Sequence, residues 1–244
     1  MFDGQISDRL RSDIYDDTAA DWWSDEIRWV RTLKNMVPGR LKYFDKFIEW
    51  PGKRVLDVGC AGGFMAEAIA KRGAIVSGID PSAPAIAAGK DHAAKHDLQI
   101  DYIVGIGEDL PYEDASFDAV VCVDVLEHVS DLSKAVSEIS RVLRPGGLFL
   151  FDTINRSSLA SFVTITMAED ILRILPQGTH DPKMYIKPEE LRSELKDAEF
   201  EVGKLTGFGP RGLTLKGDFT FGRLPGTAII YMGSARRKTS TQDT

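Results

Sequence analysis

The chain of 244 residues carries 30 lysines and arginines against 37 acidic residues, a formal net charge of −7, with 43% hydrophobic residues. The length suits a single embellished domain with a sizeable core, and the acidic balance argues against a nucleic-acid partner, which calls for a basic face. Two cysteines, Cys60 and Cys122, are too few for a disulfide framework and point to a reducing compartment. Neither a signal-peptide pattern nor a run of ~20 apolar residues is present. A cytoplasmic location is therefore expected.

Residues 13–50 read as helical, with Trp22, Trp23, Trp29, Tyr43, Phe44, Phe47 and Trp50 supplying apolar bulk, and Pro38-Gly39 is expected to break them into two helices. From Lys53 the rhythm changes. Val55–Val58 is a short apolar strand, a glycine cluster follows, and a helix runs from about Gly63 to Arg72. Strands are expected at 74–79, 100–104, 118–123 and 148–152, and helices at 83–96 and 132–143, the latter closed by Pro145-Gly146-Gly147. Strands alternating with helices at this spacing imply right-handed βαβ units and a parallel sheet. The strands are continuous apolar runs, as expected when both sheet faces are covered. Residues 157–185 interrupt the rhythm, a helix opens at Pro188, and 200–205 and 227–232 read as two last strands. The final residues, 236–244, read as a frayed polar tail.

The first strand runs into Asp57-Val58-Gly59-Cys60-Ala61-Gly62-Gly63. Glycines allow a tight turn and close ligand approach, and the following helix aims its free N–H groups at an anionic group. A dinucleotide loop requires G-x-G-x-x-G, but in that frame this loop offers Gly59, Ala61 and Phe64. The segment instead closely resembles the S-adenosylmethionine-binding signature of class I methyltransferases. That resemblance implies a Rossmann-like α/β fold: a mostly parallel, seven-stranded sheet flanked by helices, with N-terminal helices and a helical insertion after the fifth strand. It also implies cofactor contacts at Asp57 and Gly59. Asp80, one strand over, stands where an acid accepts both ribose hydroxyls. Gly107-Glu108-Asp109-Leu110-Pro111 resembles the adenine-contacting loop of such enzymes, although Ile106 replaces the usual acid, leaving adenine recognition to backbone groups near Gly107 and Glu108.

The fourth strand ends in Val123-Asp124-Val125-Leu126-Glu127-His128. Asp124, Glu127 and His128 together make a plausible divalent-metal site. Leu-Glu-His also occurs here in metal-free class I methyltransferases, where the histidine shapes the pocket or acts as a base. Both readings stand open on the residues alone.

A more specific resemblance spans nearly the whole chain. Trp22-Trp23, the segment Asn35 to Leu41, Thr153-Ile154-Asn155-Arg156, the run Leu175-Pro176-Gln177-Gly178-Thr179-His180-Asp181, Ile186 to Leu191 and Tyr231-Met232 are similar to the ubiquinone-biosynthesis O-methyltransferase family. This resemblance implies methylation of a catechol-type hydroxyl on a polyprenylated ring. It implies a magnesium ion held by Glu, Glu and His, the first of which is Asp124 here, and cofactor contacts at Arg40, Gly59, Asp80 and near Val123. Without a metal, His128 or His180 would take the proton. The apolar insertion at 157–185 suits a lid over the site, a peripheral membrane contact, or both. A class I methyltransferase with another small-molecule acceptor and a non-catalytic cofactor-binding protein are the alternatives.

Overall fold

The computed structural model describes residues 14–171, 176–215 and 217–239. Among these, β1 (Arg54–Val58), β2 (Ile75–Asp80), β3 (Ile100–Val104), β4 (Phe117–Cys122) and β5 (Leu143–Ile154) pair in parallel in the order β3-β2-β1-β4-β5. Strand order reverses between β1 and β4, which opens a crevice at their carboxyl ends where α/β sheets bind ligands. The connecting helices are α1 (Arg28–Phe44), which precedes the sheet, α2 (Phe64–Ala70), α3 (Ala83–Lys95) and α4 (Leu132–Val142). Side chains alternate across the sheet. Val55, Val121 and Leu150 join α1 and α2 in one core, whereas Leu56, Val120 and Phe149 join α4 and α6 (Pro188–Asp197) in the other.

The second half of the sheet is antiparallel. β6 (Phe200–Val202) and β7 (Thr206–Leu213) both pair with β9 (Ile230–Arg237), which lies beside β5, and β8 (Phe219–Leu224) closes the edge against β7. The α/β class expected from sequence holds, with nine strands among the described residues where seven were expected. The difference is the β7–β8 hairpin, whose sequence Thr-Gly-Phe-Gly-Pro-Arg-Gly-Leu looks like loop. Its pairing is supplied by backbone hydrogen bonds to β9 rather than by side-chain pattern. The expected tail is likewise shorter, because β9 carries through Arg237; residues 240–244 lie outside the described set.

Two further expectations are corrected. α1 runs unbroken through Pro38. An interior proline costs ~3 kcal/mol through its lost hydrogen bond and ring clash, but this helix buries Val30, Met36, Val37, Leu41 and Phe44, and tertiary burial overrides the local preference. Gly39 is needed there: a β-carbon would lie 2.5 Å from the backbone oxygen of Phe221 on β8. β5 begins at Leu143 and passes through Pro145-Gly146-Gly147, with a register irregularity against β4 at that point. After β5 the insertion forms α5 (Ser158–Ser161) and continues as a wide π-type helix, Phe162–Ile171. No helix among the described residues is long and apolar enough to cross a membrane. Cys60 and Cys122 are buried free thiols.

Candidate functional site

The crevice at the strand ends opens into a cavity of about 560 Å³. Its floor is the glycine loop. Gly59 adopts a left-handed backbone (φ 70°) and a β-carbon there would meet Val125 Cγ2 at 2.2 Å, so conformation and space both require glycine. The N–H groups of Gly59 and Cys60 donate to the Ile79 carbonyl, tying the loop to the end of β2. Asp80, the last residue of β2, receives the Ala61 N–H on Oδ2 at 2.8 Å and the Ser82 N–H on Oδ1 at 2.9 Å. Burial nevertheless pushes its carboxyl upward. Asp57 is buried with neither oxygen in a well-formed hydrogen bond. Its carboxyl is pushed up to about 8 by desolvation, only partly offset by the nearby Ala66 backbone amide.

An N-terminal arm roofs this loop. Trp23 donates from Nε1 to the Gly62 carbonyl at 2.9 Å and stacks on His92 of α3 with ring centroids 3.4 Å apart. Ser82 Oγ donates to Asp16 at 2.5 Å. Tyr15 reaches the cavity beside Trp22 and Trp29. Tyr15 and Asp16 were not anticipated; Asp16 meets a partner 66 positions away in sequence, which no local motif announces.

Opposite the loop, Arg40 of α1 is buried and lies over two carboxylates. Its Nε donates to Asp152 Oδ2 at 2.6 Å, and its second nitrogen donates to Asp124. Asp152 also accepts the Asp124 N–H at 2.9 Å, which holds Asp124 in a left-handed backbone (φ 55°) that aspartate tolerates better than most residues. Burial raises the Asp152 carboxyl to about 6 against the pull of Arg40. Asp152 was missed because it reads simply as part of an apolar strand.

Arg40, Asp57, Gly59, Asp80, Val123, Asp124, His128 and His180 all line the cavity. Glu127 is fully buried and receives a 2.7 Å hydrogen bond from Thr153. Burial and the neighbouring Asp124 charge push its carboxyl up to about 8. Gly107 packs on Val58, and the Glu108 carboxylate receives both the backbone N–H and the hydroxyl of Ser130. The expected metal triad does not form: among the described residues no three His, Cys, Asp or Glu side chains are placed to share an ion. The physical reason is that Arg40 already neutralises Asp124 while Glu127 is turned to Thr153. In this arrangement the three side chains are not poised for a divalent cation.

His180, from the stretch after the π-type helix, sits beside His128 with ring centroids 6.0 Å apart. Its Nδ1 lies 2.8 Å from Glu169, a buried carboxylate on the π-type helix. The cavity is also lined by apolar side chains, Met167 of the insertion together with Phe208, Phe221, Leu224 and Ile230 from the antiparallel half of the sheet. These hairpin residues were also not anticipated as site residues.

A methyltransferase domain family model matches residues 56–151. The ubiquinone biosynthesis O-methyltransferase of Coxiella burnetii is 39% identical over 79% of this chain and 82% of its own length. That of Chromobacterium violaceum is 35% identical over 94% of this chain and 97% of its own. Among solved structures, magnesium protoporphyrin IX methyltransferase from Synechocystis PCC 6803 superposes with a TM-score of 0.66 at 18% identity, covering 94% of this chain and 99% of that one. A possible histamine N-methyltransferase from Thermotoga maritima superposes with a TM-score of 0.64 at 18% identity, over 92% and 98%; these two show the fold. The relatives of matching length and the glycine-loop geometry converge: the chain is an S-adenosylmethionine-dependent methyltransferase and belongs to the ubiquinone-biosynthesis O-methyltransferase family.

Proposed function

We propose that this enzyme methylates a catechol-type hydroxyl on a prenylated ring, the class of precursor that ubiquinone biosynthesis requires. The observation that carries this reading is a single cavity lined both by polar groups, Arg40, Asp57 and Asp80, and by apolar side chains, Met167, Phe208, Phe221 and Leu224. The polar groups suit the cofactor. Asp80 keeps lone pairs for ribose hydroxyls beyond the two backbone N–H groups it binds. Asp57 is a buried carboxylate lacking a good internal partner, and it suits a cationic ligand. Arg40 supports the cofactor's carboxylate end, and Val123 the wall between cofactor and acceptor. Gly107 and Glu108 remain proposed contributors to adenine recognition through backbone groups.

S-adenosylmethionine supplies an electrophilic methyl on a positively charged sulfur. The chain's own task is to hold the acceptor oxygen in line and remove its proton, which alignment and a nearby base accomplish. His128 and His180, both lining the cavity, are the available bases. Proton removal in this reading does not call on magnesium, which the family resemblance implies, because Asp124 and Glu127 are engaged with Arg40 and Thr153.

The apolar lining suits a prenyl tail, each buried methylene contributing about 0.8 kcal/mol. Leu159 and Phe162 of the same insertion are half exposed, which supports a cytoplasmic enzyme touching a membrane face through 157–185 and taking its acceptor from there. The test is steady-state methylation of a bare catechol against one carrying a single isoprene unit. The reading predicts at least about tenfold higher kcat/KM for the prenylated acceptor, equivalent to ~1.4 kcal/mol. Equal values would contradict an apolar tail site.

A further inference from the structure

We propose that Glu169 is a positioning residue that makes His180, rather than His128, the base for methyl transfer; the proposal rests on the O-methylation reading above. Glu169 is 2% exposed. Its Oε2 accepts the Gly178 N–H at 2.8 Å, and its Oε1 accepts the His180 backbone N–H at 3.1 Å and faces His180 Nδ1 at 2.8 Å. An ionised carboxylate can only accept hydrogen bonds. The contact therefore puts the proton on Nδ1, and in the neutral ring Nε2 carries the lone pair. With Nδ1 held by Glu169, Nε2 is the nitrogen left to meet a ligand in the cavity that His180 lines. Tyr185 borders the same ring, with centroids 6.0 Å apart, and its hydroxyl is bonded to Thr164 at 2.6 Å. The imidazole is thus fixed in tautomer and in place by the insertion itself.

The step balances without a further reagent. The acceptor hydroxyl gives its proton to His180 Nε2. Its oxygen lone pair forms the new C–O bond as the C–S bond breaks, and that electron pair stays on sulfur, which becomes neutral. The imidazolium then returns its proton to solvent, with the Glu169 carboxylate stabilising it meanwhile.

The experiment compares kcat at pH 7 for catechol, cyanocatechol and nitrocatechol, whose hydroxyls are progressively more acidic, in wild type, Glu169→Gln, Glu169→Asp and His180→Asn. His180→Asn should lose ~10²–10⁴-fold on catechol and progressively less on cyanocatechol and nitrocatechol, the last of which ionises largely without help. Glu169→Gln should show the same gradient at smaller amplitude with unchanged cofactor affinity, and Glu169→Asp should recover part of the loss. A loss in Glu169→Gln that is equal across the three acceptors would make Glu169 a structural clasp and overturn the proposal. Methylation of none of them by wild type would overturn the functional reading as well. Nitrogen-15 NMR of the histidines in unmutated protein gives a second readout. An Nδ1–H tautomer at His180 is expected, and an Nε2–H tautomer would overturn the assignment whatever the variants do.

Discussion

Arg40 and Asp152, 112 positions apart in sequence, form a buried ion pair, with Nε donating to Oδ2 at 2.6 Å. The pair ties α1 to β5 beside the cavity that Arg40 lines. Together with Asp124 it brings two carboxylates and one guanidinium to the place where family resemblance had led us to expect a metal.

Removing the cation leaves Asp152 buried without a counter-charge, with the Asp124 N–H still bonded to it, and breaking a buried pair in this way typically costs 3–5 kcal/mol. Arg40→Ala should therefore lose about that much in urea unfolding at pH 8. The deficit should shrink toward pH 5, because an uncompensated Asp152 escapes its penalty by taking up a proton. A loss of under about 1 kcal/mol at pH 8 would contradict the burial argument.

Chelation follows from the same geometry. With Asp124 held by Arg40 and Glu127 by Thr153, methylation should survive excess EDTA within about twofold, far inside the loss expected when a catalytic metal is stripped. A loss restored by magnesium would show that Asp124 and Glu127 are drawn away from those partners by the ion.

Glu127 supplies a pH test. Its carboxyl stands at about 8 in the folded chain against an ordinary 4.5. The folded state thus holds a proton that the unfolded state releases. This stabilises the fold below pH 4.5, and the contribution is lost as pH rises to 8, at up to about 1.4 kcal/mol per pH unit. Glu127→Gln keeps an acceptor for Thr153 and cannot ionise. It should match wild type near pH 4 and exceed it increasingly toward pH 8. Parallel curves of urea midpoint against pH would contradict the assignment.

Gly59→Ala should weaken cofactor binding and cost the fold at least ~1–2 kcal/mol, from the left-handed backbone and the contact with Val125. Adding Val125→Ala should relieve the contact and recover part of the stability, leaving the backbone cost. Calorimetric titration and thermal unfolding read the two effects separately. No recovery in the double variant would mean that the contact is not what excludes a side chain.

What the sequence disclosed was local. The glycine loop, Asp80 and the segment Asp124 to His128 sit at strand ends, and their chemistry is written within a few neighbouring residues. What it concealed was held by distant partners. Asp152 looks like one more strand residue until Arg40 is folded over it. Glu169 looks like a solvated helical acid until the chain returns at Gly178 and His180. The β7–β8 hairpin is rich in glycine and carries little alternation, so its strands are defined by pairing. The proline in α1 misled for the converse reason, a strong local signal outweighed by a buried helix face.

The most direct test of the central claim is to incubate the purified protein with methyl-labelled S-adenosylmethionine and a short-chain prenylated catechol, and to identify the product by mass spectrometry. The account predicts one labelled methyl on a ring oxygen for each cofactor consumed. Cofactor binding with no transfer to any catechol oxygen would contradict it, and would place this chain among methyltransferases acting on a different acceptor.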